Sequence, residues 1–135
     1  MPGMTTTSLP ARTDRRVAEW RTLLGRYARV ICALDKALND QHALGLSEFE
    51  VLDRMVEAPE SYRMLDLANE IHLSQSALSR AVARLEKDGL VTRDTCTEDR
   101  RSVYVCLTDK GAKTHREALP THREVLVATW DQPAG

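Results

Sequence analysis

The chain has 135 residues, of which 42% are hydrophobic and 29% are charged, a balance typical of one globular domain with helical extensions. No apolar run approaches the roughly 20 residues that a membrane-spanning helix needs, and residues 1–13 lack the apolar stretch of a signal peptide. We therefore expect a cytoplasmic protein with no membrane partner. The formal net charge of −1 excludes a strongly basic protein that coats nucleic acid without sequence preference, but a sequence-specific DNA-binding protein needs only a local basic surface.

The first 45 residues divide into a polar arm and one long helix. Residues 1–13 are rich in Thr, Pro and Gly, and we expect a disordered arm there. From Val17 to Leu38, apolar residues recur at alternating spacings of three and four, a heptad-like seam that predicts one helix over about residues 14–43. Because further apolar residues such as Leu23 and Val30 widen the seam, this helix should cover its own domain and also pack on a second subunit.

A short helix is predicted next. Gly45 is expected to end the first helix, and Ser47 and Glu50 have the spacing of a capping box at the start of another. Pro59 cannot continue a helix, so the second helix should end before it.

Two more helices follow, separated by a tight turn. The apolar spacing within Leu65–His72 predicts a two-turn helix, with Asp66 as a candidate cap. Ser74 is a favourable N-cap for a longer helix over Gln75–Lys87, and Gly89 is a natural residue to end it.

The last third of the sequence predicts a hairpin and a final helix. Leu90–Thr95 and Val103–Leu107 are rich in strand-forming residues and flank a short polar loop, as in a β-hairpin. Thr108 should cap a long helix over Asp109–Trp130, within which Pro120 predicts a kink or a break.

This order predicts a mainly α fold with a small β-hairpin wing, a winged helix-turn-helix. The lobe covers residues 46–107, the long helices of residues 14–45 and 108–130 are the candidate dimerisation helices, and residues 131–135 form a tail. In a helix-turn-helix, the second helix lies in the major groove of DNA. That assigns the groove-binding role to Leu73–Asp88.

The outward face of that helix carries side chains suited to DNA. Glutamine can read adenine in bidentate fashion, arginine can read guanine or bind phosphate, and serines can donate to phosphate oxygens. Arginines at the tip of a hairpin can enter the minor groove, where the potential is most negative. The candidate DNA-binding residues are Ser74, Gln75, Ser76, Ser79, Arg80 and Arg84 on the helix, and Asp99, Arg100 and Arg101 in the wing.

The net charge of this region limits the surface that can face DNA. Residues 61–113 contain nine Lys or Arg and eight Asp or Glu. Acidic side chains such as Glu86 and Asp88 must therefore point away from phosphate or pair with arginines. Asp99 is placed to orient Arg101 by a charge-assisted hydrogen bond.

Two segments resemble the MarR family of bacterial regulators. Asp99–Ser102 followed by Leu107–Gly111 is similar to the wing signature of that family, and Leu73–Arg80 with Leu85–Val91 is similar to its recognition helix. The resemblance implies a repressor that binds a palindromic operator as a homodimer. Major-groove contacts would fall on Gln75, Ser76, Ser79 and Arg80, and the minor-groove contact on Arg101.

The resemblance also implies a ligand and a particular dimer. A small amphipathic or phenolic ligand would bind near Trp20, Phe49 and Met64 and release the DNA. The family has a further C-terminal helix in its dimer interface, whereas this sequence continues from Trp130 into a polar tail. The dimer is therefore expected to depend on the first and last long helices.

Other functions have weaker support in the sequence. Cys32, Cys96 and Cys106 raise a redox-responsive regulator as an alternative, although the hairpin register would place Cys106 opposite Thr92 rather than Cys96. Two histidines seven residues apart, at positions 115 and 122, are more typical of a surface or interface than of a zinc site, so we assign no metal and no cofactor. No phosphate-binding loop or nucleophile motif indicates an enzyme. A winged-helix module that binds protein rather than DNA is the remaining alternative.

Overall fold

A computed structural model describes the backbone of residues 2–58, 61–95 and 103–133, which form five helices and three strands. The elements in chain order are α1 (Pro2–His42), α2 (Leu46–Met55), β1 (Tyr62–Arg63), α3 (Met64–Ile71), α4 (Gln75–Lys87), β2 (Val91–Thr95), β3 (Val103–Leu107) and α5 (Asp109–Trp130). The strands form one antiparallel sheet in the order β1-β3-β2. The predicted mainly α fold with a hairpin wing is confirmed.

The first helix is longer than the sequence suggested. α1 begins at Pro2, so residues 2–13 continue the helix where a disordered arm was expected. Residues added to an existing helix need no new nucleus, and proline at the first helical position gives up no hydrogen bond. These two effects offset the weak helix propensity of the threonines in this segment.

The junction between α1 and α2 corrects two expectations. Ala43, and not Gly45, has the left-handed backbone that ends α1, with φ of 52°, and the Leu44 N–H donates to the Leu38 carbonyl. Gly45 is instead the N-cap of α2, which places Ser47 inside the helix, so no capping box forms. The Leu46 N–H at the start of α2 donates to Asp35 Oδ1 of α1 at 3.0 Å.

The core lies between α2 and the elements around it. α2 packs on α1, α3, α4 and α5, and its Phe49, Leu52 and Met55 are fully buried. Only the second half of the α1 seam joins this core through Leu34 and Leu38, whereas its first half is exposed. The seam is thus divided along its length between the core of this chain and solvent.

Helices α3 and α5 differ in detail from their predictions. α3 begins at Met64 with Arg63 as its N-cap, and no side chain caps it, so Asp66 lies in the first turn rather than at the cap. Thr108 caps α5 as predicted by accepting from the Gly111 N–H at 3.0 Å. α5 continues without a break past Pro120, because packing on α1 and α2 holds the helix where one backbone hydrogen bond is lost.

Candidate nucleic-acid interface

The local sequence fixes both ends of α4. Ser74 Oγ accepts from the Ala77 N–H at 3.2 Å, which confirms the predicted N-cap. At the other end, Gly89 has φ of +77°, a left-handed backbone that glycine adopts without steric cost. α4 therefore spans Gln75–Lys87, the range predicted from the sequence.

One face of α4 is buried and the other is open. Leu78, Ala81, Val82 and Leu85 are in the core, at the spacing of one helical face. The candidate residues on the opposite side are all exposed: Ser74, Gln75, Ser76, Ser79, Arg80 and Arg84. The structure thus gathers the six helical candidates on one accessible surface.

The electrostatics of this surface suit an anion. Within the described part of the chain, Arg80 and Arg84 form no ion pair, so their guanidinium groups are available to a ligand. Glu86, the acidic residue on the same helix, pairs with Arg93 at 3.1 Å, as the charge count required. The N-terminal end of α4 adds the partial positive charge of the helix dipole.

The wing strands lie beside α4. In the antiparallel β2–β3 pair, Thr92 lies opposite Cys106, as the predicted register requires. The wing-tip candidates Asp99, Arg100 and Arg101 lie outside the described residues, as does Cys96.

A cavity between α3, α4 and the wing contains two arginines that the sequence analysis missed. It has a volume of about 360 Å³ and is lined by Arg63, Met64, Leu65, Gln75, Leu78, Ser79, Arg93 and Val103. β1 is too short to be recognised from sequence. Arg93 lies opposite Val105 in the β2–β3 register but is itself exposed, so its place in the strand gave no signal that separated it from an ordinary surface arginine.

The three candidate ligand-binding residues do not meet within one chain. Trp20 is 57% exposed on α1 and lies roughly 27 Å along the helix from Leu38, which belongs to the same core as Phe49. Phe49 is fully buried between His115 and His122 of α5. Of the three, only Met64 lines a cavity together with candidate DNA-binding residues, namely Gln75 and Ser79. Within one chain these three positions therefore do not form a single site, because the length of α1 separates Trp20 from the lobe.

Three further expectations concern metal binding, the cysteines and membrane spans. His115 and His122 are buried between α5 and α2 rather than on the surface, and the described residues contain no cluster of metal-binding side chains. Cys32 is exposed on α1, and Cys106 is half-buried on β3. Each helix in the described ranges is too short or too polar to cross a bilayer.

Comparison with known proteins points to one family. The MarR family profile matches residues 44–103, which span α2 to the start of β3. The transcriptional regulator PecS of Dickeya dadantii is 30% identical over 107 residues, covering 76% of this chain and 64% of that protein. This chain thus spans slightly less than two thirds of the length of that relative.

Solved structures give the same result over more of the chain. Sco3205 of Streptomyces coelicolor, a MarR family regulator crystallised with DNA, is 30% identical with a TM-score of 0.78, covering 86% of this chain and 73% of that one. AbsC, a MarR family regulator of the same organism, is 31% identical with a TM-score of 0.76, covering 87% and 79%. This chain belongs to the MarR family of transcriptional regulators.

Proposed function

We propose that this protein regulates transcription, as a repressor, by binding a palindromic operator in double-stranded DNA as a homodimer. The observation that carries the proposal is the exposed polar face of α4 beside the wing, with two arginines that form no ion pair among the described residues. A relative with the same fold and 30% identity was crystallised on DNA. The groove-binding helix is α4, and the wing contacts the adjacent minor groove.

The first experiment tests whether the exposed polar face of α4 and the wing tip contact DNA. Arg80→Ala and Arg101→Ala should each weaken operator binding by about 1–3 kcal/mol while leaving the circular dichroism spectrum unchanged. Arg116→Ala, which removes an exposed arginine from α5, is the matched control and should bind like the parent. If both test variants bind the operator as tightly as the control, the DNA-contacting surface is assigned wrongly.

Salt dependence separates DNA binding from the protein-interaction alternative. A protein that neutralises several phosphates should lose affinity steeply as the salt concentration rises. The operator would first be selected from genomic fragments, and its dissociation constant then measured over a series of salt concentrations. A winged-helix module that binds only protein would show no duplex affinity at any ionic strength.

The homodimer is proposed from the apolar surface that the single chain leaves uncovered. Trp20, Leu23 and Tyr27 on α1 are 57%, 53% and 63% exposed, and Val127 and Trp130 on α5 are 60% and 50% exposed. Contiguous exposed apolar surfaces of this kind mark interaction sites. A second copy covering this surface would give the two-fold symmetry that a palindromic operator requires.

A charge placed in that surface tests the dimer. Leu23→Glu should convert the dimer to a monomer in sedimentation at micromolar concentration, since an unpaired carboxylate is costly to bury. Arg21→Glu, an exposed neighbour on α1, is the control and should stay dimeric. A Leu23→Glu variant that sediments as a dimer would contradict the proposed interface.

For the releasing ligand, we propose a small amphipathic or phenolic anion in the cavity between α4 and the wing. Met64, Leu65 and Leu78 give this cavity apolar walls, and Arg63 and Arg93 supply positive charge. A ligand there would contact Gln75 and Ser79, which the proposal assigns to DNA. Hydroxybenzoates should therefore raise the melting temperature and compete with operator DNA, and Arg93→Gln should weaken both effects.

A further inference from the structure

Helix α5 carries two buried histidines with no part in reading DNA. His115 and His122 are 6% and 4% exposed, and both stack on Phe49 of α2, with ring centroids 5.3 and 4.4 Å away. Seven residues of helix correspond to roughly 10.5 Å along its axis, so the phenyl ring lies between the two imidazoles. The contact joins a proposed dimerisation helix to the centre of the lobe.

A chain of polar contacts accompanies this stack. Arg123 Nη2 is 3.1 Å from both carboxylate oxygens of Asp53, and Arg123 Nη1 is 2.7 Å from His122 Nδ1. His115 Nε2 lies 2.7 Å from Asp53 Oδ1. Arg123 therefore binds the carboxylate of α2 and the imidazole of His122 at the same time.

These contacts define which nitrogen of His122 carries its proton. A guanidinium group only donates hydrogen bonds, so His122 Nδ1 must accept from Arg123 and is unprotonated. In the neutral ring the proton then resides on Nε2. Nε2 lies 3.3 Å from Glu50 Oε1, but it has no hydrogen-bond partner in the described part of the chain.

The two histidines respond differently to a second proton. His115 uses Nε2 to donate to Asp53, and it can do so whether neutral or charged. His122 Nδ1 lies 2.7 Å from Arg123 Nη1, which already points an N–H at it. A proton added to Nδ1 would therefore place two hydrogen-bond donors against each other and bring two positive charges into contact. The other ionisable groups near His122 and Arg123 are Glu50 and Asp53 of α2. Towards α1 lies His42, whose Nε2 is 2.8 Å from Thr121 Oγ1.

We propose that His122 and Arg123 form a proton-sensitive latch between α5 and α2, and that acidification opens it and weakens DNA binding. When His122 gains its second proton, attraction to Glu50 holds the charged ring in place, and Arg123 must leave Nδ1. α2 packs on both α5 and α4, so loosening the α2–α5 contact removes one of the connections that fix α4 relative to α5, the other being the contacts of Thr108 and Lys110 with the end of α4. The effect on DNA rests on the proposed function, whereas the latch itself does not.

Nuclear magnetic resonance tests the latch on the unchanged protein. Long-range ¹H–¹⁵N correlation spectra of the histidine rings should show His122 as the Nε2–H tautomer at neutral pH. In a series of spectra recorded from pH 8 down to pH 5, roughly the range over which free histidine changes charge, amide resonances of α2 should shift with the same midpoint as the His122 ring. An Nδ1–H tautomer, or a protonation that moves no α2 resonance, would overturn the proposal.

Operator binding over the same pH range tests the consequence. His122→Asn places an amide oxygen where Nδ1 lies, so it can accept from Arg123 at every pH without titrating. His72→Asn, at an exposed histidine with left-handed backbone that asparagine tolerates, is the matched control.

For the parent and for His72→Asn, the dissociation constant should rise at least about fivefold on acidification, the lower end of typical allosteric coupling, and for His122→Asn it should stay nearly constant. An equal rise in all three proteins would overturn the proposal. If none binds DNA at any pH, the proposed function fails, and the resonance data still decide the latch.

Discussion

Asp53 gives the structure's most direct stability prediction, because one carboxylate of α2 accepts from two residues of α5. Its side chain is 21% exposed and is bound by His115 at 2.7 Å and by Arg123 at 3.1 Å. A hydrogen bond to a charged group contributes about 1.5–3 kcal/mol, but Arg123 is half-exposed, so solvent screens its share. Asp53→Asn should therefore lower the free energy of unfolding by about 2 kcal/mol, mostly through the contact with His115.

The pH dependence of this loss follows from the pKa of Asp53. Burial alone would raise this pKa, but hydrogen bonds from His115 and Arg123 outweigh burial and hold the pKa below its ordinary value. A carboxylate with a lowered pKa in the folded state stabilises the fold above its unfolded pKa of roughly 4, and this contribution is lost as the pH falls through the folded value. The difference in free energy of unfolding between the parent and Asp53→Asn should therefore have its largest value at neutral pH and vanish in strong acid.

Urea unfolding followed by circular dichroism, at one fixed protein concentration and several pH values, measures this difference. Asp40→Asn is the matched control, because Asp40 pairs with Lys36 on the exposed surface of α1. Exposed pairs contribute at most about 1 kcal/mol, so the control should lose much less stability. Equal losses in the two variants, or a loss for Asp53→Asn that persists in strong acid, would refute the reasoning.

Two further predictions concern the start of α5. Gly111→Ala should lower the free energy of unfolding by about 1–3 kcal/mol, because the added Cβ would lie 2.0 Å from the Leu90 carbonyl oxygen. Gly25→Ala on α1 is the control: its Cβ has room, and the change should raise the free energy of unfolding by up to about 1 kcal/mol. Thermal unfolding compares the two, and equal melting temperatures would contradict the packing argument. Thr108→Val should cost about 2 kcal/mol, since the hydroxyl both caps α5 and donates to the Gly89 carbonyl at 2.7 Å. Thr108→Ser keeps both bonds and should stay within about 1 kcal/mol of the parent; a Ser variant as unstable as the Val variant would locate the effect in the lost methyl packing.

The sequence predicted the elements whose limits are set by neighbouring residues. Ser74 and Gly89 fix α4 because a cap and a left-handed turn are local events, and the alternation within β2 and β3 is equally local. Thr108 starts α5 for the same reason. The limits of α4 and its exposed face, to which we assign DNA binding, could accordingly be predicted before any coordinates.

Features that depend on distant residues could not be read in this way. The N–H at the start of α2 is satisfied by Asp35, eleven residues earlier on α1, so the local capping-box pattern at Ser47 was misleading. The pairing of His115 with Asp53 spans 62 residues and gives no local pattern. The length of α1 likewise separates Trp20 from Phe49, which the family resemblance had placed in one site.

The contacts of α5 connect the proposed DNA-binding helix α4 to the proposed dimer interface. At its start, Thr108 donates to the Gly89 carbonyl and Lys110 donates to the Asp88 carbonyl, so α5 holds the end of α4. In its middle, the histidine pair holds α2, and near its end Trp130 lies under the guanidinium of Arg26 on α1, 5.3 Å from the ring centre. A rigid helix fixed at three points transmits a displacement at one point to the other two. A proton or a ligand that shifts any of these contacts would therefore change the position of α4 relative to the proposed dimer interface. In the proposed homodimer, that position sets the spacing between the two α4 helices, which must match the spacing of the operator half-sites.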